Sequence, residues 1–349
     1  MRFGPVPIRE AVGGTVVHAV HDGTVLLKKG EVVTRAQAEL LATRGLREIV
    51  IARLDADDVG ENEAAQRVAE SLGSLDLTVE RAFTGRANLF ARHNGVLTVD
   101  AALVDRINAV DEALTVATLP PYRAVTAGEM VATVKIIPFA VPRPVITRAL
   151  ALLERPAVEV RPFRPLRVGV ISTILPGLKP SVVRKTVQHL ADRLAPAGAP
   201  LVLDEALPHD AGALATRLEQ AVALCDLLVV FGASAITDRR DIIPAALIAA
   251  GGSIEQFGMP VDPGNLLLLG RLGTVTVIGA PGCARSPKEN GFDWVLQRLL
   301  AGIEVTRADI QRLGVGGLLM EIVTRPQPRS GAVVPATRTI AATEEAPFA

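Results

Sequence analysis

The sequence predicts an α/β protein whose C-terminal half is a doubly wound, mostly parallel sheet, preceded by smaller α/β and β-rich units. Three observations predict it. Apolar residues make up 49% of the 349-residue chain but aromatic residues only 3%, which specifies the Ala, Val and Leu cores of buried parallel sheets rather than an aromatic-rich sandwich. From Arg167 onward a buried strand, a small polar loop and a helix recur three times, the pattern of parallel strands joined by right-handed crossovers. Before that point the strand-like runs are short and separated by Asp-Gly, Pro-Pro and Gly turns, as in small antiparallel sheets.

Residues 1–54 read as a small N-terminal α/β unit. TVVHAV and TVLLKKG flank His21-Asp22-Gly23, a hairpin turn. Thr34 precedes RAQAELLATRG, a helix with Gly45 placed for a left-handed stop, and REIVIARL returns as a strand. Residues 55–164 read as a mixed α/β unit and linker. GENEAAQRVAESLGS is a helix with an acidic first turn and Gly73 as its stop. Glu61 and Glu63 are two residues apart and point to different sides of that helix, which argues against a paired acid/base role. DAALVDRINAVDEA reads as a helix, and ALTVATL and EMVATVKIIPF as strands. AFTGRANL gathers Thr84, Gly85, Arg86 and Asn88, either as a site lining or as a surface turn. VPRPVITRALALLERPAVEVRPFRPL reads as a proline-punctuated linker with at most a short helix in its middle. Residues 165–323 form the third unit, in which GVGGLLMEI reads as the last ordered turn and strand. The tail, residues 324–349, is rich in Pro, Ala, Thr and Ser and reads as disordered.

Composition removes several function classes. Lys plus Arg and Asp plus Glu are equal at 37 each, so no global field draws the chain to nucleic acid or an anionic membrane. Cys225 and Cys283 alone cannot make a disulfide framework or a cysteine zinc site, which fits a reducing, cytoplasmic setting. MRFGPVPIRE lacks the regions of a signal peptide, and no uncharged apolar run reaches the ~18 residues of a membrane span. His18, His21, His93, His189 and His209 are scattered without metal-ligand spacing.

Parallel strands open their C-terminal ends on one edge, where ligands of such sheets bind. The first loop brings Ser172, Thr173, Gly177, Lys179 and Ser181 there, with Lys185 in the helix behind it. The second supplies Gly232, Ser234, Thr237, Asp238 and Asp241. The third supplies Pro281, Gly282, Arg285, Ser286 and Lys288. Small residues admit a ligand to backbone amides, and hydroxyls and cations near helix starts suit phosphate or another oxyanion. Neither GxxxxGK[ST] nor GxGxxG is present, so an ordinary nucleotide or dinucleotide site is not indicated.

These motifs carry a resemblance. Residues 165 to about 312 resemble the molybdopterin-binding domain shared by molybdopterin adenylyltransferase and molybdopterin molybdotransferase: VGVISTILPG stands at the STGDEL-type loop, VVFGASAITDRRD at the GGxSxGxxD-type loop and IGAPG at the PGxP-type loop. The whole chain, with FGPVPIREA, INAVDEA and TVATLPPYRAVTAGEMVATVKIIPFAV, is similar to a bacterial group in which this block is often followed by a nucleotidyltransferase-like domain. The resemblance implies molybdopterin or the molybdenum cofactor as ligand, molybdenum cofactor biosynthesis as the process, and a ligand-facing Pro-Gly loop that makes Pro263, Gly264 and Asn265 either a further wall of the site or a plain turn. Ile174, Leu175 and Pro176 replace the family's Gly-Asp-Glu, Ile236 replaces a glycine, Cys283 and Ala284 follow the Pro-Gly, and no DxSxxDG-type stretch appears in the first half. Cys283 is either a contact to a metal or dithiolene or a small packed residue. Two functions follow. In one, a transferase inserts molybdate or moves a nucleotidyl group, Lys179, Lys185 and the loop amides stabilising the anion and Asp238 or Asp241 acting as the catalytic Mg²⁺ holder. In the other, the chain is a non-catalytic carrier that hands the pterin to a separate nucleotidyltransferase or other cofactor-biosynthesis protein. The oligomeric state, a homo-oligomer included, stays open.

Overall fold

The computed structural model describes residues 1–21 and 25–319. Residues 22–24 of the expected hairpin turn, the end of GVGGLLMEI and the whole tail expected to be disordered lie outside the described residues. In the first unit, strand Arg2–Pro7 pairs antiparallel with Glu48–Arg53, and Val20–His21 pairs with Val25–Leu27. Helix Arg35–Thr43 starts in a capping box, in which the Thr34 hydroxyl accepts from the Gln37 N–H and the Gln37 side chain accepts from the Thr34 N–H. Its Leu41 packs with Ile8, Val16 and Ile51.

The second unit packs helix Glu61–Leu72 on a four-stranded antiparallel sheet, burying Ala65, Val68 and Leu72 against Leu89 and Val134. Two expectations are corrected here. The helix read over DAALVDRINAVDEA stops at Asn108, because the Asn108 amide accepts from the Val116 N–H at 2.7 Å and donates to the Val116 carbonyl at 3.0 Å, pairing with the next strand instead. Within the proline-punctuated linker the short helix allowed in its middle is present, Arg143–Leu152, but the linker reading left out the strand after it, Val158–Pro162, which pairs antiparallel with Gly95–Val99. Pro142 and Pro144 sit at the N-cap and in the first turn, where no intrahelical N–H is lost, so these prolines start the helix rather than break it. AFTGRANL is a turn leading into a strand: Thr84 and Gly85 have φ of 48° and 71°, the strand Arg86–Ala91 follows, and the Gly85 N–H donates to the Asn62 side chain at 2.7 Å. A Cβ at residue 85 would stand 2.8 Å from the Ile136 carbonyl oxygen, so the close approach requires glycine.

In the C-terminal unit we label β1 (Val168–Ile174), α1 (Pro180–Leu194), β2 (Leu201–Pro208), α2 (Ala211–Ala221), β3 (Leu227–Phe231), α3 (Ile242–Ala249), β4 (Ser253–Phe257), β5 (Leu268–Leu272), β6 (Val275–Ala280) and α4 (Gly291–Leu300). The sheet order is β2-β1-β3-β6-β5-β4. β2, β1, β3 and β6 are parallel, and β5 and β4 extend the sheet antiparallel. Leu190 and Leu194 of α1 and Phe292 and Leu296 of α4 cover one face. Leu214 and Leu218 of α2 and Ile243 and Leu247 of α3 cover the other. β3 is buried at every residue, which is why it reads as an uninterrupted apolar run, and burial on both faces makes the sheet doubly wound. The expected architecture is therefore present, with helices on both faces of a mostly parallel sheet.

Candidate functional site

Because β1, β3 and β6 run parallel, the loops that follow them leave the same edge of the sheet. β1 delivers Ser172 and Thr173 there as its last buried residues. They point to opposite faces. The Thr173 hydroxyl accepts from the Ala233 N–H at 3.0 Å, so it ties the first loop to the second. It also lies 2.8 Å from Nδ1 of His209, whose Nε2 lies 3.3 Å from the Ser234 hydroxyl. Ser172 faces the side of Val168 and Val170, and its buried hydroxyl has no hydrogen-bond partner among the described residues.

The third loop is held from behind. Arg193, near the end of α1, donates to Asp293 at 2.6 Å and to the carbonyls of Ala284 at 3.1 Å, Ser286 at 2.6 Å and Lys288 at 3.4 Å. Its guanidinium also stands 5.8 Å from the Phe292 ring centroid. Asn290 closes the loop as the N-cap of α4, accepting from the Phe292 N–H and donating to the Lys288 carbonyl. Gly291 donates to the Pro263 carbonyl at 2.8 Å, and a Cβ on Gly264 would stand 2.8 Å from the Gly291 nitrogen. The 263–265 wall is thereby packed on the start of α4, with Asn265 exposed beside it.

Arg285 joins the second loop to the third. It donates to the Gly232 carbonyl at 2.7 Å and to the Thr186 hydroxyl at 3.2 Å, and its guanidinium lies 5.4 Å from the Phe231 ring centroid. No carboxylate pairs with it among the described residues, and burial lowers its pKa from the usual arginine value. A guanidinium that has lost water without gaining a counter-anion favours an anion brought from outside. Two of its five N–H donors are used by these bonds, which leaves three.

The remaining expected residues divide by exposure. Gly177, Lys179, Ser181, Lys185, Gly282 and Lys288 are exposed, with Lys179 as the N-cap of α1 and Gly177 at φ 87°. Pro281 is buried beneath them, and the Ser286 hydroxyl accepts from the Lys288 N–H. Both carboxylates proposed for Mg²⁺ are engaged: Asp241 accepts from the Thr237 N–H at 2.9 Å, and Asp238 pairs with Arg240 at 2.8 Å. The Arg240 side chain and backbone N–H hold the Asp238 carboxyl down at about 2. Among the described residues no group of three or more His, Cys, Asp and Glu is gathered to hold a metal ion. Cys283 is half-buried, its sulfur 3.6 Å from the Asn290 side-chain oxygen.

Two residues that the sequence reading did not single out matter here. His209 follows β2, a fourth parallel strand outside the threefold repeat, and so reaches the same edge; its position at a strand end, just before the Asp210 N-cap of α2, was the available signal. Arg193 had no such signal, since its partners lie 91 to 100 residues away. Cavities of 320, 580 and 370 Å³ open elsewhere, the largest beside Asp57, Arg143 and Arg148. The edge is marked by its donors, and those cavities contain none of them.

Neither a protein-family profile nor a curated protein sequence matches the chain. Among solved structures, a molybdopterin biosynthesis moeA protein from Pyrococcus horikoshii is similar at 16% identity over 86% of this chain and 75% of its own, with a TM-score of 0.31. Another moeA structure, from Pyrococcus horikoshii OT3, shares 13% identity over 70% of this chain and 80% of its own, at 0.26. A molybdenum cofactor biosynthesis protein from Pyrococcus furiosus shares 12% identity at 0.25, and the aligned region covers 86% of this chain but only 64% of that one. The likeness to these proteins is remote.

Proposed function

We propose that the chain binds a molybdopterin-type ligand by its phosphate at the C-terminal edge of the six-stranded sheet, within molybdenum cofactor biosynthesis. The observation that supports this reading most is Arg285, a half-buried guanidinium with no carboxylate partner among the described residues, fastened from the third loop to the Gly232 carbonyl of the second. The three loop motifs, through their resemblance, name the ligand class; the donors account for its anionic end. Arg285 contacts the phosphate, Ser234, Lys179 and the backbone around Gly177, Gly232 and Gly282 add donors, and Ser181, Lys185 and Lys288 supply further positive or polar groups at the rim. Ser172 and Thr173 form the floor. Pro263, Gly264 and Asn265 flank the start of α4, and Pro281 shapes the third loop.

Engagement of both candidate carboxylates favours the carrier over the transferase. A Mg²⁺ ion needs one or two carboxylates with phosphate oxygens and waters, and Asp238 would first have to leave Arg240. In the carrier reading the pterin passes to a separate nucleotidyltransferase; in the transferase reading Asp238 or Asp241 holds the ion. Native mass spectrometry of the chain purified from molybdenum-replete cells tests the binding. A copurifying phosphorylated pterin supports the reading, and its absence from wild type under conditions that load a control pterin-binding protein overturns it. Turnover of adenylate or molybdate by the same preparation decides for the transferase.

A further inference from the structure

The hydrogen bonds around His209 determine which way the Ser234 hydroxyl is used. Thr173 already accepts from the Ala233 N–H, and its single hydroxyl proton has two acceptors within reach: Nδ1 of His209 at 2.8 Å and the Phe231 carbonyl at 3.5 Å. The first distance is ideal for such a bond and the second is at its limit. When that proton takes the shorter contact, Thr173 donates to Nδ1, which leaves Nδ1 without a proton and puts the ring proton on Nε2. Nε2, 3.3 Å from Ser234, then donates to that hydroxyl. With a lone pair of its oxygen taken from behind, Ser234 turns its own proton outward from an exposed position on the edge.

We propose that His209 is a positioning residue, outside the resemblance's motifs, that makes Ser234 an obligatory donor toward the ligand, so that the edge selects acceptor-only tetrahedral oxyanions such as a phosphate ester or molybdate. The proposal rests on the anion-binding reading above and adds its chemistry. It also assigns Ser234 a role other than nucleophile. An imidazole whose Nε2 carries the proton cannot take the serine proton, in contrast to a hydrolytic dyad. Arg285, likewise donor-only, presents the same polarity from the neighbouring loop.

Two measurements test it on the whole chain. Long-range ¹⁵N–¹H spectra of the imidazoles, with the His209 signals identified by their loss in His209→Gln, should show Nδ1 unprotonated and Nε2 protonated, and Thr173→Val should shift His209 toward the other tautomer. Wild-type protein with the proton on Nδ1 overturns the relay. Calorimetry with inorganic pyrophosphate and with molybdate supplies the second. Ser234→Ala should weaken binding about tenfold, the loss of one hydrogen bond to a charged group. His209→Leu should weaken it by several-fold, and His209→Gln, which keeps a donor, should recover most of that. In the Ser234→Ala background His209→Leu should add nothing, because its effect passes through the serine. An equal loss in both backgrounds, or no recovery by glutamine, overturns the positioning role. If wild type binds neither probe, the anion reading falls and the selectivity with it, whereas a wrong tautomer removes the relay and leaves the anion site standing.

Discussion

The first and third loops of the candidate site leave parallel strands on the same edge and are held by opposite means. The loop after β1 is bonded mainly to itself: Leu178 donates to the Leu175 carbonyl and Val182 to that of Lys179, while Leu175 and Leu178 are 51% and 38% exposed. The loop after β6 is fastened by Arg193 through three backbone carbonyls and Asp293, capped by Asn290 and bridged to the second loop by Arg285. A loop fixed by its own scaffold meets a ligand already shaped, whereas a self-contained loop loses conformational freedom when it is ordered around one. The third loop is therefore expected to set affinity mainly through geometry, and the first mainly through charge.

The largest effect that would break this contrast comes from Arg193→Ala. Arg193 and Asp293 have side chains only 10% and 9% exposed, and removing one member of a buried pair leaves a charge uncompensated, a loss of about 3–5 kcal/mol. Three carbonyls also lose a donor. Urea unfolding should shift to a clearly lower midpoint, and pyrophosphate binding should fall even where the variant remains folded. The double variant Arg193→Ala/Asp293→Ala should recover part of the stability but none of the binding. Full binding by folded Arg193→Ala would mean that the third loop holds its shape without its scaffold.

The next effect is on affinity rather than stability. Arg285→Ala should weaken phosphate binding roughly tenfold to a hundredfold, the worth of about 1.5–3 kcal/mol in a charge-assisted bond. The Gly232 carbonyl loses its guanidinium donor, so a modest drop in stability of about 1 kcal/mol accompanies it. Arg285→Lys should not restore binding, because an ammonium cannot hold Gly232 and Thr186 while offering further donors to a ligand. Titration calorimetry and thermal unfolding of the same samples separate the two effects.

This division between scaffold and contact explains what the sequence could and could not show. The three loops were legible because strand, loop and helix repeat along the chain, and parallel topology alone brings Thr173, Ser234 and Gly282 to one edge. Their residue types, Gly, Ser, Lys and Arg at helix starts, suggest an anion wherever the fold places them, which is the reading the calorimetry is designed to test. Arg193 was not legible, because a guanidinium in the last turn of an amphipathic helix looks like any solvated residue until α4 packs beside it. His209 is not legible because β2, buried only at Leu203 and otherwise half-buried or exposed, lacks the apolar run that marks the other parallel strands. The short helix at 143–152 is legible within the proline-rich stretch, but the strand at 158–162 is not, because it is brief, ends in proline and shows its partner only when the chain folds back on Gly95–Val99.

A smaller effect distinguishes the self-contained loop. Lys179 is exposed and makes no side-chain bond to the N–H groups it caps, so Lys179→Ala should leave the unfolding midpoint within error. Phosphate affinity should fall by only a few-fold and the difference should vanish in high salt, as expected for an exposed charge. A salt-independent loss as large as that of Arg285→Ala would show that the first loop grips the ligand as the third does, and the contrast between them would disappear.

The smallest expected effect concerns Asp238, and it bears on carrier against transferase. Its carboxyl is held at about 2, below the ordinary aspartate range, first by the Arg240 side chain and then by the Arg240 backbone N–H. A folded-state pKa lowered in this way contributes stability that is present above the unfolded value near pH ~3.9 and lost as pH falls through about 2. Asp238 and Arg240 are exposed, with side chains at 53% and 91%, so water screens the pair and its net contribution to stability near neutrality is slight. Asp238→Asn should accordingly unfold as wild type does at pH 7. The informative measurement is the carboxyl ¹³C titration, which should show a midpoint near 2 in wild type and a return toward the ordinary range in Arg240→Ala. Repeating it with Mg²⁺ and pyrophosphate asks whether the carboxylate can be drawn from arginine to metal. If the midpoint and chemical shift do not respond to Mg²⁺ in either protein, Asp238 belongs to the loop that starts α3 and the metal-dependent transferase loses this ligand. A response that is stronger in Arg240→Ala would instead identify Arg240 as the group competing with the ion.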